Sequence, residues 1–148
     1  MGLKISYNAI IRSFDAYTGE TTKLTKVHNL VTNSGLEYVA KVLGGLNTNF
    51  KAIAIGTNNT APAAGDTTLN TEYTRALATI AYEASYKIKF SKTFTVGSGV
   101  SEIINEAGVF DTATPSSGNM FNRLIFDPHT LNIGNPLEII ITITVATI

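Results

Sequence analysis

Residues 137–145 read Leu-Glu-Ile-Ile-Ile-Thr-Ile-Thr-Val, a run in which all but the first two side chains branch at the β-carbon. Such side chains pack well on a pleated sheet, so the run predicts a β-strand. An apolar strand of this kind left on an open sheet edge would promote aggregation. We therefore expect it either in the centre of a sheet or paired with a strand across a subunit interface.

Most of the remaining chain shows the signature of β-structure. Residues 3–14 alternate apolar and polar side chains, which is typical of a half-buried strand. Further segments rich in Thr, Tyr, Phe, Ile and Val are separated by Gly, Pro, Asn and Asp, and they cover residues 23–30, 50–55, 76–85, 86–96, 101–110 and 119–126. The pattern predicts a mainly β (β-rich α+β) chain, an antiparallel β-sandwich of two sheets with one α-helix. The first two strands are expected to form a hairpin.

The segment with helical periodicity covers about residues 33–44. Polar residues 32–34 supply capping side chains, and the glycine pair at 44–45 ends the helix. We expect Glu37 to add negative charge to the first turn. Four apolar side chains at helical spacing are expected to pack against the sheets: Leu36, Val39, Ala40 and Leu43.

Composition excludes several classes of function. The 148 residues carry a formal net charge of 0, only 15% are charged, and cysteine is absent. Scattered Lys and Arg do not make the concentrated positive surface that nucleic acid requires, and without cysteine there are no disulfides or thiolate metal sites. The length predicts one domain over residues 1–148. Because the sequence shows no signal-peptide core and no membrane-spanning run, we expect neither secretion by that route nor a membrane anchor.

A long polar segment, residues 57–66, follows Gly56. Loops of this length inside a compact domain are usually functional or form interfaces. Pro62 restricts the backbone there, and the carboxylate of Asp66 is able to accept hydrogen bonds from nearby amides. Residues 69–73 are compatible with a helical turn.

Side chains suited to catalysis or metal binding are few. His28 and His129 are far apart, and the only candidate ligand near either is Asp127, so a polar or capping role is favoured over a metal site. Glu102 and Glu106 would share a face as i, i+4 along a strand, which leaves a glycosidase-like carboxylate pair as an alternative.

Neither of the Ser-Gly pairs, at 34–35 and 98–99, lies in a Gly-x-Ser-x-Gly nucleophile motif, so caps and turns explain them better. Four tyrosines offer rings for stacking on sugars, although half-buried packing is the commoner role of a strand tyrosine: Tyr38, Tyr73, Tyr82 and Tyr86.

Three motifs follow one another along the chain. The first is Val-His-Asn-Leu-Val-Thr-Asn-Ser-Gly-Leu at 27–36. The second is Ile-Ala-Ile-Gly-Thr at 53–57, then Ala-Pro-Ala-Ala-Gly-Asp-Thr-Thr-Leu at 61–69, Glu72 and Arg75. The third is Asn-Glu-Ala-Gly-Val-Phe-Asp at 105–111, then Met-Phe-Asn-Arg at 120–123 and Phe126. In this order they resemble small bacteriophage and prophage virion structural proteins of the tail fibre, baseplate-associated or capsid-decorating kind. One departure is Asn58, where many members of that family have a second glycine.

The resemblance implies structural roles for the motif residues and no catalytic, cofactor-binding or metal-binding role. These residues are Gly56, Pro62, Asp66, Leu69, Glu72, Arg75, Glu106, Gly108, Phe110 and Arg123. Because a charge removed from water alone is costly, we hypothesise that Glu106 pairs with Arg75 or Arg123 inside or at the edge of the sheet.

The expected function is therefore that of a non-enzymatic virion structural protein, a tail fibre, baseplate or capsid-surface (decoration or head fibre) component assembled in the host cytoplasm. Its expected partners are copies of itself, a trimer by resemblance, and other phage structural proteins, with no cofactor, nucleic acid or membrane. The alternative is a receptor- or glycan-binding module at a phage fibre tip that contacts a host surface glycan. An enzyme that cleaves surface polysaccharide is a third reading.

Overall fold

The order of elements follows the hydrophobic patterning closely. A computed structural model of the chain describes residues 2–29 and 31–147, with the backbone alone at His28 and Asn29. Within these ranges the helix is α1 (Asn33–Leu43). The strands are β1 (Leu3–Phe14), β2 (Thr21–Asn29), β3 (Ala52–Gly56), β4 (Glu72–Leu77), β5 (Thr79–Glu83), β6 (Lys87–Phe94), β7 (Ser101–Phe110), β8 (Met120–Asn132) and β9 (Leu137–Thr147).

The strands form two antiparallel sheets. One has five strands in the order β2-β1-β9-β6-β5, and the other has four in the order β4-β3-β7-β8. The predicted hairpin is confirmed, since β1 pairs with β2 from Tyr7 opposite Asn29 to Phe14 opposite Thr21. The chain is thus a mainly β protein, a sandwich of two antiparallel sheets with one helix, as the sequence predicted.

The strand β9 lies in the centre of the five-stranded sheet, between β1 and β6. One face of β9 is buried in the core through Leu137, Ile139, Ile141 and Ile143. Of the two expectations for the apolar run, the central position is therefore confirmed, because ladder hydrogen bonds on both sides satisfy its backbone.

The main core fills the space between the sheets and takes side chains from both of them and from α1. Aromatic rings bridge the layers at one end, where Phe50 lies 5.2 Å from Phe121 and 4.8 Å from Tyr38 between ring centroids. None of the described residues belongs to a helix with the length and hydropathy needed to cross a bilayer.

Two local predictions between residues 69 and 85 are wrong. The helical turn expected at 69–73 does not form, since residues 70–71 lie in a bend and residues 72–73 begin β4, and the strand predicted over 76–85 is divided at Ala78. The amide of Ala78 donates to the carbonyl of Lys51, so the chain turns a corner there and passes from the four-stranded to the five-stranded sheet. The corner depends on a contact distant in sequence, which local patterning does not reveal.

The helix forms as predicted but presents a different face to the core. Thr32 is the N-cap, with its hydroxyl accepting from the amide of Gly35 at 3.0 Å. Glu37 lies beyond the first turn, which contains no acidic residue, so that prediction is wrong.

The predicted apolar face of the helix is also wrong. Gly35 and Tyr38 are the buried helix residues, whereas Leu36 and Leu43 are 47% and 84% exposed. A Cβ at Gly35 would collide with the backbone carbonyl of Phe121 on β8. This close approach, which only glycine allows, turns the Gly35 side of α1 towards the sheet and the leucines away from it.

Candidate functional site

The motif residues converge on the outer face of the four-stranded sheet, under the loop 57–71. Inward-facing residues of this sheet, such as Ala107 and Val109, belong to the main core, while the alternate residues face outwards. Across the sheet, Arg75, Ala54, Gly108 and Arg123 are consecutive register partners. The second and third sequence motifs, separated along the chain, are therefore one site in the fold.

Glu106 and Arg123 form the centre of this site. The Nε of Arg123 lies 2.9 Å from Oε2 of Glu106, and both side chains are 0% exposed. Of the two partners that the sequence left open for Glu106, the structure selects Arg123. A buried pair of this kind is stable only when its remaining polar atoms are also bonded, and here they are.

The backbone of the loop 57–71 supplies the other bonds to Glu106. The amide of Thr71 donates to Oε1 at 2.8 Å, and the amide of Asn70 donates to Oε2 at 3.1 Å. At Gly56, a Cβ would collide with the carbonyl of Thr71 and with the Glu106 carboxylate. The absence of a side chain at this position therefore lets the carboxylate and the end of the loop meet.

Arg123 also holds the middle of the loop. Its Nη1 lies 3.1 Å from Oδ2 of Asp66, and its Nη2 lies 3.3 Å from Oδ1 of Asn58. Asp66 accepts a hydrogen bond from the amide of Ala63 at 2.9 Å, as expected of it. Pro62 lies within the same loop and is half-buried.

Asn58, the departure from the family pattern, takes part in this network. Its Oδ1 accepts from the amide of Thr60 at 2.8 Å and from Nδ2 of Asn70 at 3.3 Å, in addition to Arg123. An amide side chain at this position thus bonds both arms of the loop. A glycine would offer no side chain for this purpose.

A small apolar cluster, separate from the main core, lies beside these charges. It consists of Ala54, Leu69, Phe110 and Met120. Leu69 is the member that comes from the loop, and it is only 5% exposed. A Cβ at Gly108 would lie 3.2 Å from Cδ2 of Leu69 and 2.6 Å from the carbonyl oxygen of Asn122. Gly108 therefore makes room for the leucine that fastens the loop to the sheet.

Glu72 and Arg75 form a second ion pair at the edge of the same face. The guanidinium contacts both carboxylate oxygens, at 2.8 and 2.9 Å, and lies over the Phe110 ring at 3.6 Å from the centroid. Its Nη1 also donates to the carbonyls of Thr112 and Ser117. Arg75 therefore anchors the loop 111–119, which makes it a positioning group for a neighbouring loop and not the partner of Glu106.

The helix α1 contacts both loops and joins them to the sheet. The amide of Asn33 donates to the carbonyl of Ala64 at 2.8 Å. The hydroxyl of Tyr38 donates to Oδ2 of Asp111, which also accepts from Asn119. Although partial burial opposes the shift, these hydrogen bonds lower the pKa of Asp111. The Tyr38 contact has no sequence signal, because Tyr38 lies outside the three motifs and is far from Asp111 along the chain.

His129, on β8, has a structural role, because it bonds to two strands of the opposite sheet. It is 1% exposed, with Nδ1 2.7 Å from the Ser13 hydroxyl and Nε2 2.9 Å from the Thr25 hydroxyl. Burial and the nearby charge of Lys23 lower its pKa to about 4, against the opposing effect of Asp127. The hydrogen bonds of His129 agree with the polar role predicted for it. The side chain of His28 lies outside the described residues.

The carboxylate pair proposed from spacing does not form. A register irregularity between Ile104 and Glu106 shifts β7 by one residue, so Ile104 and Ala107 both face the core. Glu102, two residues before Ile104, is thus on the opposite side of the sheet from Glu106. The structure contradicts the expectation that these acids share a face, because spacing cannot show a bulge. Among the described residues, no group of three or more His, Cys, Asp or Glu side chains is arranged to hold a metal ion.

The tyrosines divide into two groups. Tyr38 is buried in the core, and Tyr73 is 37% exposed on β4. Tyr82 and Tyr86 are 72% and 73% exposed and belong to the β5–β6 hairpin. Tyr86 borders a depression of 420 Å³ whose lining is completed by Leu3, Val145, Ala146 and Thr147.

Comparison of the chain with protein-family models, with curated proteins and with solved structures gives no match.

Proposed function

We propose that this chain is a non-enzymatic structural component of a bacteriophage particle, which assembles with copies of itself and with other virion proteins. The observation that carries the proposal is the use of the charged motif residues. Glu106, Arg123, Asp66, Glu72 and Arg75 bond to one another and to the backbones of two loops. These ion pairs and hydrogen bonds hold the two loops in place and so fix the shape of the surface that the loops form.

This use of charge differs from what catalysis requires. A general acid or base needs a proton-accepting atom within hydrogen-bond reach of a substrate. The carboxylate of Glu106 is instead occupied by Arg123 and two loop amides, and its side chain is 0% exposed. The ring nitrogens of His129 are likewise both within hydrogen-bond distance of hydroxyl groups. A rigid loop held on a sheet suits contact between proteins, where preorganisation lowers the cost of binding.

The family resemblance supplies the setting, a virion, with tail fibre, baseplate and capsid surface as the candidate locations. The test is labelling of purified phage particles with an antibody raised against this chain, with particles from a deletion strain as the matched control. We expect label at a fixed place on head or tail, absent from the control. Particles that are complete and infectious without the chain, and never labelled in the wild type, would overturn the proposal.

A second candidate function, a glycan-binding module at a fibre tip, is favoured by one specific observation. Ser85 and Tyr86 have φ values of 66° and 65°, a conformation that costs non-glycine residues energy, and the turn displays the Tyr86 ring beside the depression. Exposed aromatic rings are suitable for stacking on sugars. Binding of host polysaccharide that Tyr86→Ala abolishes, while Tyr17→Ala in the β1–β2 turn, where the ring is 92% exposed, does not, would establish it. Equal binding by both variants would exclude this site.

A further inference from the structure

The helix α1 carries an apolar stripe that faces away from its own sheets. Leu36, Ala40 and Leu43 recur at helical spacing, and Leu36 and Leu43 are 47% and 84% exposed. Leu46, just beyond the helix, is 76% exposed. A helix of a single sandwich is expected to bury its apolar stripe. Here Gly35 and Tyr38 occupy the buried side, so the leucine stripe has no cover within residues 2–29 and 31–147.

Two charged side chains run beside this stripe. Glu37 and Lys41 are one helical turn apart and form an exposed ion pair, with Nζ 2.7 Å from Oε1. On the helix they lie adjacent to the Leu36–Ala40–Leu43 stripe and away from the buried side. The surface therefore combines an apolar strip with a flanking row that has one charge of each sign.

We propose that this surface binds a second copy of the chain, with the two α1 helices packed antiparallel around a two-fold axis. The inference rests on the proposed function, because it names the contact through which the chain meets a copy of itself. The argument is one of self-complementarity. In a two-fold antiparallel pair, the residue at a given distance before the axis lies opposite the residue at the same distance after it.

The apolar stripe and the charged row place this axis at nearly the same position along the helix. Leu36 and Leu43 are equidistant from a point between positions 39 and 40, and Glu37 and Lys41 are equidistant from position 39, so the two centres agree to within one residue. An axis here brings Leu36 against the partner's Leu43. It also brings Glu37 against the partner's Lys41, twice by symmetry, on the same side of the helix pair. The small side chain of Ala40 near the axis lets the helices approach closely.

The size of the surface sets the expected strength. A helix of 11 residues is about 16 Å long, and one face of it buries less than the roughly 800 Å² per partner of a standard interface. The association is therefore expected to be weak and reversible, and to strengthen where many copies are held close together in an assembly.

The first test is sedimentation of the purified chain over a series of concentrations. We expect a monomer–dimer equilibrium that Leu43→Ser weakens by about ten-fold or more. Leu77→Ser is the matched control, because Leu77 is 59% exposed on β4, the strand at the opposite edge of the sheet from β8, and it should leave the equilibrium unchanged. A chain that stays monomeric throughout, or a trimer insensitive to Leu43→Ser, would overturn the inference.

The second test isolates the charge pairing. The Glu37→Lys chain is positive at both positions and the Lys41→Glu chain is negative at both, so each repels its own copy. We expect each variant alone to dimerise about ten-fold more weakly than the wild type, and an equimolar mixture to recover as a heterodimer. Both variants also lose the Glu37–Lys41 ion pair within their own helix. Mixing cannot restore that pair, so any recovery on mixing reports the contact between the two copies. A mixture no tighter than its components would refute the antiparallel arrangement.

The outcomes separate this inference from the proposed function. Solution association of the purified chain does not depend on any virus, so a dimer that is absent from labelled particles would disprove the virion role alone. A virion component that remains monomeric in solution would disprove the helix contact alone.

Discussion

Replacement of Glu106 with alanine removes the acceptor on which the loop 57–71 and the Arg123 side chain both depend. In the wild type its carboxylate accepts from Arg123 at 2.9 Å, from Thr71 at 2.8 Å and from Asn70 at 3.1 Å. The substitution leaves a guanidinium that is 0% exposed without its closest counter-charge. It also leaves two loop amides without their acceptor.

The magnitude follows from the burial of the pair. Removing one partner of a buried ion pair costs about 3–5 kcal/mol. Asp66 remains 3.1 Å from Arg123 but is 21% exposed, so it offsets only part of the loss. We expect a loss of about 3 kcal/mol in the free energy of unfolding, which for a chain of this length lowers the thermal midpoint by roughly 6–12 °C.

Thermal and urea denaturation measure this effect, and Glu37→Ala is the matched control. Its ion pair with Lys41 is exposed, with side-chain exposures of 67% and 45%, so its loss should leave the thermal midpoint almost unchanged. The double variant Glu106→Leu with Arg123→Met removes both charges together and should recover the part of the loss that comes from the unpaired guanidinium, while the two loop amides still lack their acceptor. Limited proteolysis adds a local readout, because Glu106→Ala should expose the loop 57–71 to cleavage. A thermal midpoint unchanged by Glu106→Ala would refute the reasoning.

Three further predictions concern other parts of the fold. The folded-state pKa of His129, about 4, lies below its unfolded value near 6.5, so the unfolded chain takes up the proton first and stability falls as pH drops through this window, by up to ~3 kcal/mol. His129→Gln should flatten that part of the stability curve measured by urea titration. Gly35→Ala should destabilise by more than about 2 kcal/mol in urea denaturation because its Cβ has no space, whereas Gly65→Ala, which meets nothing within 4 Å, should not. Arg75→Lys should cost about 1–2 kcal/mol in the thermal melt, since lysine cannot reproduce the two-pronged bond and the ring contact.

Each of these has a result that contradicts it. A wild-type stability that is flat between pH 4 and pH 6.5 would show that His129 does not titrate as its surroundings imply. Equal effects of alanine at Gly35 and Gly65 would mean that the helix does not approach β8 as closely as described. A wild-type melting temperature in Arg75→Lys would mean that the guanidinium geometry is not required at that position.

Many residues of the site were predictable from the sequence, because they lie within the three motifs. The motif pattern contains Gly56, Asp66, Leu69, Arg75 and Glu106, and the structure brings them to one face of one sheet. Glycines and charged residues within apolar segments are informative in a sequence, because few places in a fold require a missing side chain or tolerate a buried charge. What the pattern left undecided was which arginine Glu106 would meet.

That choice depends on strand register, which spacing along the chain cannot fix. Gly108 lies opposite Arg123 only because β7 and β8 pair in one particular register, and the irregularity near Asn105 turns Glu106 outwards and separates it from Glu102. Arg75 sits on the far side of β3 and satisfies Glu72, three residues before it. A shift of one residue in the β7–β8 pairing would turn Arg123 to the other face of the sheet, away from Glu106.

The sequence by itself determined the nature of the elements: the strands, the hairpin, the helix with a polar cap within residues 32–34, and the apolar strand that had to be enclosed. These depend on side-chain branching, periodicity and capping, which are properties of neighbouring residues. Only the tertiary structure decided which face of α1 is buried, where the chain crosses between sheets at Ala78, and which charges pair. Those depend on contacts between residues distant in sequence, where a single close approach, such as that of Gly35 to β8, overrides a local pattern.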